Sequence, residues 1–343
     1  MIAIRADGDS EVGLGHVRRC LALATELAPS SDVRFFLKGS EAVASLIRRE
    51  GFRCEVVPAA LEATLAAIGS AGARGLVLDS YEATRADYEA ARARAGFLVV
   101  LDDSGRYPLP ADLVINAAPG VAAPAGENGA RYLLGPRFAL LRREFAGPVA
   151  RDVRQRVGRL FLILGGATPS GLVAALARVA RQALPAAVVD LVVGPAGDDP
   201  SLVVEKLADL DGVNVHAAPE SVRPLMLGAD LAITGGGFTL FELAATGTPA
   251  LGVELAPNQR ANLAGMVGAG TLVVAGKAEE AGLHEAVGRT LRTLALDVER
   301  RRAMSQRGLA LVDGRGAVRV AEAIRARLEG RRPESERLAC SGS

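Results

Sequence analysis

At 343 residues the chain is too long for one ordinary hydrophobic core and predicts about two domains. It is 50% hydrophobic and 23% charged with a net charge of +1, a globular composition with no global field to recruit nucleic acid or an anionic membrane. Aromatic residues make up only 4% and Trp is absent, which argues against base-stacking platforms, while Cys20, Cys54 and Cys340 have neither zinc spacing nor the even framework of a secreted protein.

Met1 leads directly into a strand over residues 2–6 (IAIRA) with no signal-type leader. No run of about 18 apolar residues follows, so a soluble, cytoplasmic protein is expected. Val17, Leu21, Ala24 and Ala28 recur at helical spacing and predict a helix over 16–28, stopped by Pro29. Strands are expected at 33–37, 54–57, 75–79, 97–103 and 113–116, with helices over 41–50 and 83–95. These apolar runs, each followed by a helix-period segment, predict a parallel sheet covered on both faces. Arg151 to Arg156 reads as a polar linker. Beyond it, strands at 160–166, 188–194, 213–216, 230–234, 250–255 and 271–275 alternate with helices near 171–184, 200–209, 220–227, 238–246 and from 258 onward. Helices fill most of 278–329, and a polar tail follows. The expected organisation is therefore α/β: one doubly wound domain over 1–150, a second over 157–330, and a disordered tail over 331–343. Ligands are expected where the strand carboxyl ends face the cleft between them.

Four loops carry the chemistry. Gly13-Leu14-Gly15-His16 joins the first strand to the first helix; its glycines allow close backbone approach, and a neutral His16 facing the cleft can accept a proton. The spacing is not that of a dinucleotide fingerprint. Gly235-Gly236-Gly237 opens a helix containing Thr239, Leu240 and Glu242, an anion nest suited to a diphosphate with a carboxylate one turn on for ribose hydroxyls. The bland alternative is a capping box from Thr239 to Glu242, which leaves the three glycines unexplained. Asn258-Gln259 opens another helix on the same edge, where Asn258 can also be a simple N-cap. Gly165-Gly166 follows the first strand of the second half. Asp79-Ser80-Tyr81 and Asp102-Asp103-Ser104 end two strands of the first half, each a weak signal alone. No Asp-x-Asp motif ends a strand of the second half, so nucleotide binding without a divalent ion is expected. Asp199 before Pro200 reads as an N-cap rather than half of a metal pair with Asp198.

Taken together, RADGDSEVGLGHVRRCLALA (5–24), LDSY (78–81), LDDS (101–104), ADLVIN (111–116), YLLGPRFALLRREF (132–145), LGG (164–166) and GGGFTLFELAATGTPALGVELAPNQ (235–259) resemble the UDP-sugar hydrolases of pseudaminic acid biosynthesis and the related spore-coat polysaccharide proteins. The resemblance is collinear over about 1–330. It implies a GT-B fold with UDP on the second half and metal-independent hydrolysis of UDP-2,4-diacetamido-2,4,6-trideoxy-β-L-altropyranose, or a close relative, without a cofactor. It places the general base at His16, sugar- and phosphate-side roles at Tyr81 and Asn258, and the ribose carboxylate at Glu242. Gly13, Gly15, Gly165, Gly166, Gly236, Gly237, Thr239, Leu240 and Gln259 complete the expected substrate-binding set. The alternative on the same fold is an inverting glycosyltransferase. The expected partner is a nucleotide sugar, not nucleic acid or membrane, and the expected state a monomer or weak dimer.

Overall fold

The computed structural model describes residues 1–9, 13–103, 105, 108–125, 129–165, 168–194 and 199–330. The expected tail over 331–343 lies outside them. The chain begins with β1 (Ile2–Gly8), α1 (Gly15–Leu27), β2 (Val33–Gly39), α2 (Glu41–Arg49), β3 (Arg53–Val56), α3 (Leu61–Ser70), β4 (Gly75–Asp79), α4 (Arg85–Arg94), β5 (Leu98–Leu101), β6 (Leu113–Asn116) and β7 (Arg131–Leu134). These strands form one parallel sheet in the order β3-β2-β1-β4-β5-β6-β7. Every residue of β1 is buried, as a strand covered on both faces requires. Its side chains alternate: Ile2, Ile4 and Ala6 pack with Val17, Cys20 and Leu23 of α1, whereas Ala3 packs with Leu65 and Ile68 of α3.

The second sheet is built from β8 (Arg159–Ile163), α5 (Ser170–Ala183), β9 (Val188–Val193), α6 (Pro200–Lys206), β10 (Val213–Ala217), α7 (Arg223–Gly228), β11 (Leu231–Gly235), α8 (Thr239–Ala245), β12 (Ala250–Glu254), α9 (Arg260–Gly268) and β13 (Leu272–Lys277). Its order is β10-β9-β8-β11-β12-β13, again all parallel. Three helices close the described chain: α10 (Leu283–Leu296), α11 (Val298–Leu311) and α12 (Gly316–Leu328). The same alternation holds here, with Leu160 and Leu162 facing α5 and α10, and Phe161 and Ile163 facing α8. None of the described helices is long and apolar enough to cross a membrane.

Two elements were not expected from the sequence. Leu61, Leu65 and Ile68 of α3 do have helical spacing, but they sit among alanines that give little polar contrast. The four-residue edge strand β7 is too short to show a period. The stretch 151–156, read as a linker, is instead tied to the second domain. Arg151 donates to the carbonyls of Met226 (3.2 Å) and Thr246 (3.2 Å), and the fully buried Arg301 donates to those of Arg154 and Gln155, both at 2.8 Å.

The domain boundary near 330 also needs correction. Helix α12 returns to the first sheet, where Ala317, Val320, Ala321 and Ile324 are buried among Ile2, Leu23 and Leu27. Glycines permit this return. At Gly316 an added Cβ would lie 2.1 Å from the Ala139 carbonyl oxygen, and at Gly314 (φ +71°) 2.1 Å from that of Phe145. The helix period alone could not reveal which sheet the apolar face of α12 would meet.

Candidate active site

Strand order reverses between β1 and β4 in the first sheet and between β8 and β11 in the second. At such switch points the loops after neighbouring strands diverge and leave a crevice at the carboxyl ends. The two crevices face one another across a cleft of about 690 Å³ lined by both domains. From the first domain come Gly13, Gly15, Arg18, Arg19 and Tyr81. The second contributes Gly165, Thr168, Thr234, Gly237, Thr239, Glu242, Asn258 and Gln259.

His16 does not stand on the cleft wall as the sequence suggested. It lies one layer behind it, 3% exposed, near the start of α1. Its Nδ1 is 2.5 Å from Oδ1 of Asp79, the last residue of β4, while its Nε2 is buried with no hydrogen-bond partner among the described residues. A neutral imidazole that donates from Nδ1 to the Asp79 carboxylate would carry its lone pair on Nε2, the arrangement of an oriented general base. Asp79 is fully buried and also receives both arms of the Arg19 fork, Nε to Oδ2 at 2.6 Å and Nη2 to Oδ1 at 2.5 Å. Burial alone would neutralise this carboxyl, but Arg19 and His16 outweigh it and hold it well below the usual carboxylate range.

Arg19 continues the network. Its Nη1 donates to Asp103 at 2.7 and 3.0 Å, and the Tyr81 hydroxyl donates to the same carboxylate at 2.8 Å. The Tyr81 ring then meets the His16 ring edge-on, centroids 4.3 Å apart. The five side chains His16, Asp79, Arg19, Asp103 and Tyr81 thus close into a loop. Burial and the Asp103 charge push the Tyr81 phenol up, so it remains a donor. Across the cleft, the Phe238 ring lies 5.8 Å from the Arg19 guanidinium carbon and packs against the cores of both domains.

Among the glycines, Gly13 (φ +78°) needs its residue type for conformation, and its N–H donates to the Asp9 carbonyl at 2.9 Å. Gly165 (φ +125°) likewise turns the chain after β8. Gly166 lies outside the described residues, as does Asp198. The triple glycine is not an anion nest: none of the three has positive φ, and the Gly236 N–H already donates to Gln259 Oε1 at 2.8 Å. Packing explains two of them. An added Cβ would lie 2.7 Å from the Leu164 carbonyl oxygen at Gly235, and 2.6 Å from the Gln259 Cβ at Gly236. Only Gly237 faces open space in the cleft. Gln259 therefore braces this turn, its oxygen also accepting from the Leu255 N–H at 3.1 Å. Leu240, expected at the nucleotide, is instead 3% exposed in the second domain's core, because helix α8 turns that face inward.

The capping box does not form either, since Phe238 occupies the cap of α8 and no side chain bonds there. Glu242 is left on the cleft wall with no ion pair among the described residues. Burial pushes its carboxyl up, opposed by Arg142 and Arg18. Asn258 is exposed on the same wall. Asp199 is the N-cap of α6, accepting from the Ser201 N–H at 2.9 Å. Among the described residues no three His, Cys, Asp or Glu side chains gather as metal ligands.

Arg18, Arg19 and Arg142 belong to no loop motif that marks them in the sequence, and Asp79 and Asp103 are weak signals there. One signal was available: Arg19 follows His16 by three residues, which places both on one face of α1.

No family model matches the chain. An uncharacterized protein of Methanocaldococcus jannaschii is 26% identical over 266 residues, 72% of this chain and 54% of that protein, so the chain spans about half the length of the curated relative it matches. Solved structures are similar over nearly the whole chain. Acinetobacter baumannii MurG superposes with a TM-score of 0.65 at 16% identity, covering 94% of this chain and 99% of that one. The S. aureus MnaA–UDP structure gives 0.62 at 13% identity with 96% of each covered, and the calicheamicin glycosyltransferase CalG4 gives 0.62 at 19% identity, covering 96% and 98%. The chain has the GT-B fold, two facing parallel-sheet α/β domains with a cleft between them.

Proposed function

We propose that this protein is an enzyme acting on a nucleotide-activated sugar, with the nucleotide on the second-domain wall and the reacting sugar facing the first. The observation that carries this reading is an Asp-oriented histidine, its Nε2 without a hydrogen-bond partner among the described residues, one layer behind the first-domain wall of a cleft whose second-domain wall carries Glu242. His16 would take the proton of the hydroxyl that attacks the anomeric carbon, and Asp79 would stabilise the imidazolium that forms. Glu242 would accept ribose hydroxyls, and Arg18, in no ion pair among the described residues on the opposite wall, would lie toward the phosphates.

Transfer to an acceptor is the reading we favour. MurG and CalG4 share the whole fold, and the base is sealed from solvent, as an enzyme that must not waste its donor on water requires. Hydrolysis is the second reading, supported by the collinear motif resemblance; its substrate would be UDP-2,4-diacetamido-2,4,6-trideoxy-β-L-altropyranose or a close relative. A panel of UDP- and dTDP-sugars, incubated with and without hydroxyl acceptors, separates the two. Diphosphate release that depends on acceptor supports transfer, and release in water alone supports hydrolysis, with oxygen from labelled water appearing on the sugar. Absence of turnover together with absence of nucleoside-diphosphate binding would overturn both.

A further inference from the structure

Tyr81 is half exposed on the cleft wall, yet its hydroxyl is committed to a residue behind that wall. Asp103 accepts that hydroxyl and is itself fixed by two bonds from Arg19, a side chain 6% exposed and anchored to Asp79. The ring so held lies edge-on against His16, whose Nε2 is buried and has no hydrogen-bond partner among the described residues. A buried nitrogen with a free lone pair is costly unless something is gained by keeping water from it.

We infer that Asp103 is a positioning residue that latches Tyr81 over the base, so that water reaches His16 Nε2 only when the Tyr81–Asp103 hydrogen bond opens. This extends the catalytic reading of His16 by assigning a determinant of what the base can deprotonate. The latch belongs to the first domain, because all five linked side chains come from 16–103. It therefore operates whether or not nucleotide is bound opposite. The Arg19 fork makes Asp103 a fixed anchor rather than a mobile surface carboxylate, and the Asp79 end of the same fork keeps the imidazole in register with the ring above it.

Accessibility of the ring nitrogen tests the latch without requiring any turnover. The chain has three histidines, and diethyl pyrocarbonate modification followed by peptide mapping reads each separately. His284 is exposed and the His216 side chain is 32% exposed, so both serve as internal references. In the wild-type full chain His16 is expected to react more slowly than either. Tyr81→Phe, which removes only the hydroxyl, and Asp103→Asn should each raise the His16 rate by about tenfold, the shift in open population expected from losing one hydrogen bond to a charged group. The reference histidines and the melting temperature of Tyr81→Phe should stay unchanged. Wild-type His16 reacting as fast as His284, or a His16 rate unmoved in Tyr81→Phe, overturns the inference. Should Asp103→Asn unfold, all three histidines accelerate together and Tyr81→Phe decides alone. As a second readout resting on the proposed function, Tyr81→Phe should release more nucleoside diphosphate without acceptor than the wild type. Failure of that readout with the accessibility change intact would count against the proposed chemistry and leave the latch standing.

Discussion

Three side chains at the cleft make separable predictions. His16→Asn should lower turnover by roughly a hundred- to ten-thousand-fold, the range for a positioned general base, while nucleoside-diphosphate affinity measured by calorimetry holds, since the nucleotide wall is on the other domain. A matching loss of affinity and melting temperature would make His16 structural. Glu242→Gln should weaken nucleoside-diphosphate binding about ten- to hundred-fold through lost charge-assisted hydrogen bonds, with no loss of stability, because Glu242 caps nothing in α8. Asp79 predicts an acid-labile fold. Its carboxyl is depressed in the folded state, so the stability it brings is present above the ordinary carboxyl value of about 3.9 and is lost as pH falls toward the lower folded value. Denaturant midpoints from pH 7 downward should therefore drop more steeply below about pH 4 in the wild type than in Asp79→Asn. Parallel curves would assign the acid sensitivity elsewhere.

The turn between β11 and α8 shows how one element serves packing and ligand at once. Gly235 and Gly236 let β11 approach Leu164, Leu255, Gln259 and Leu263 closely, and Gly237 alone opens to the cleft. Gly236→Ala should thus cost about 1–3 kcal/mol in thermal or chemical denaturation, as overpacking does, because the Gln259 Cβ and Leu263 Cγ stand 2.6 and 2.7 Å from the new methyl. Gly237→Ala, with nothing within 4 Å, should leave stability nearly unchanged and act only on ligand affinity. Equal destabilisation by both would contradict this division. The element periods were largely legible in the sequence: β4, β6 and the apolar strands around them stand where continuous hydrophobic runs predict. The roles of the glycines were not legible, because a Gly that avoids a neighbour and a Gly that approaches a ligand look alike until the neighbour is placed.

At the scale of the molecule, α12, the last described helix, packs on the domain in which the chain begins, and its Arg325 donates to the Glu26 carbonyl at 2.7 Å. A chain ending at Arg315 should expose the face of α1 that Ala317, Val320 and Ile324 cover, at about 1.5–3 kcal/mol for each large apolar side chain unburied. Its first domain should melt well below its second in calorimetry, where the full chain keeps the two closer. An unchanged transition would show that α12 contributes little to the first domain.

By itself the sequence determined the local periods: alternating apolar runs and helix faces, two parallel-sheet units, and Gly-rich loops at strand ends where a ligand would sit. Those properties follow from residues a few positions apart. Tertiary structure alone decided the rest. It set Asp79 and Asp103 beside Arg19, 60 and 84 positions away in the chain, and so turned two ordinary strand-end carboxylates into the support of His16. It moved Leu240 into the core, gave Gln259 a bracing role and set Glu242 on the cleft wall with no ion pair among the described residues. Such contacts depend on which strands lie side by side, and strand order is fixed only when the whole sheet assembles.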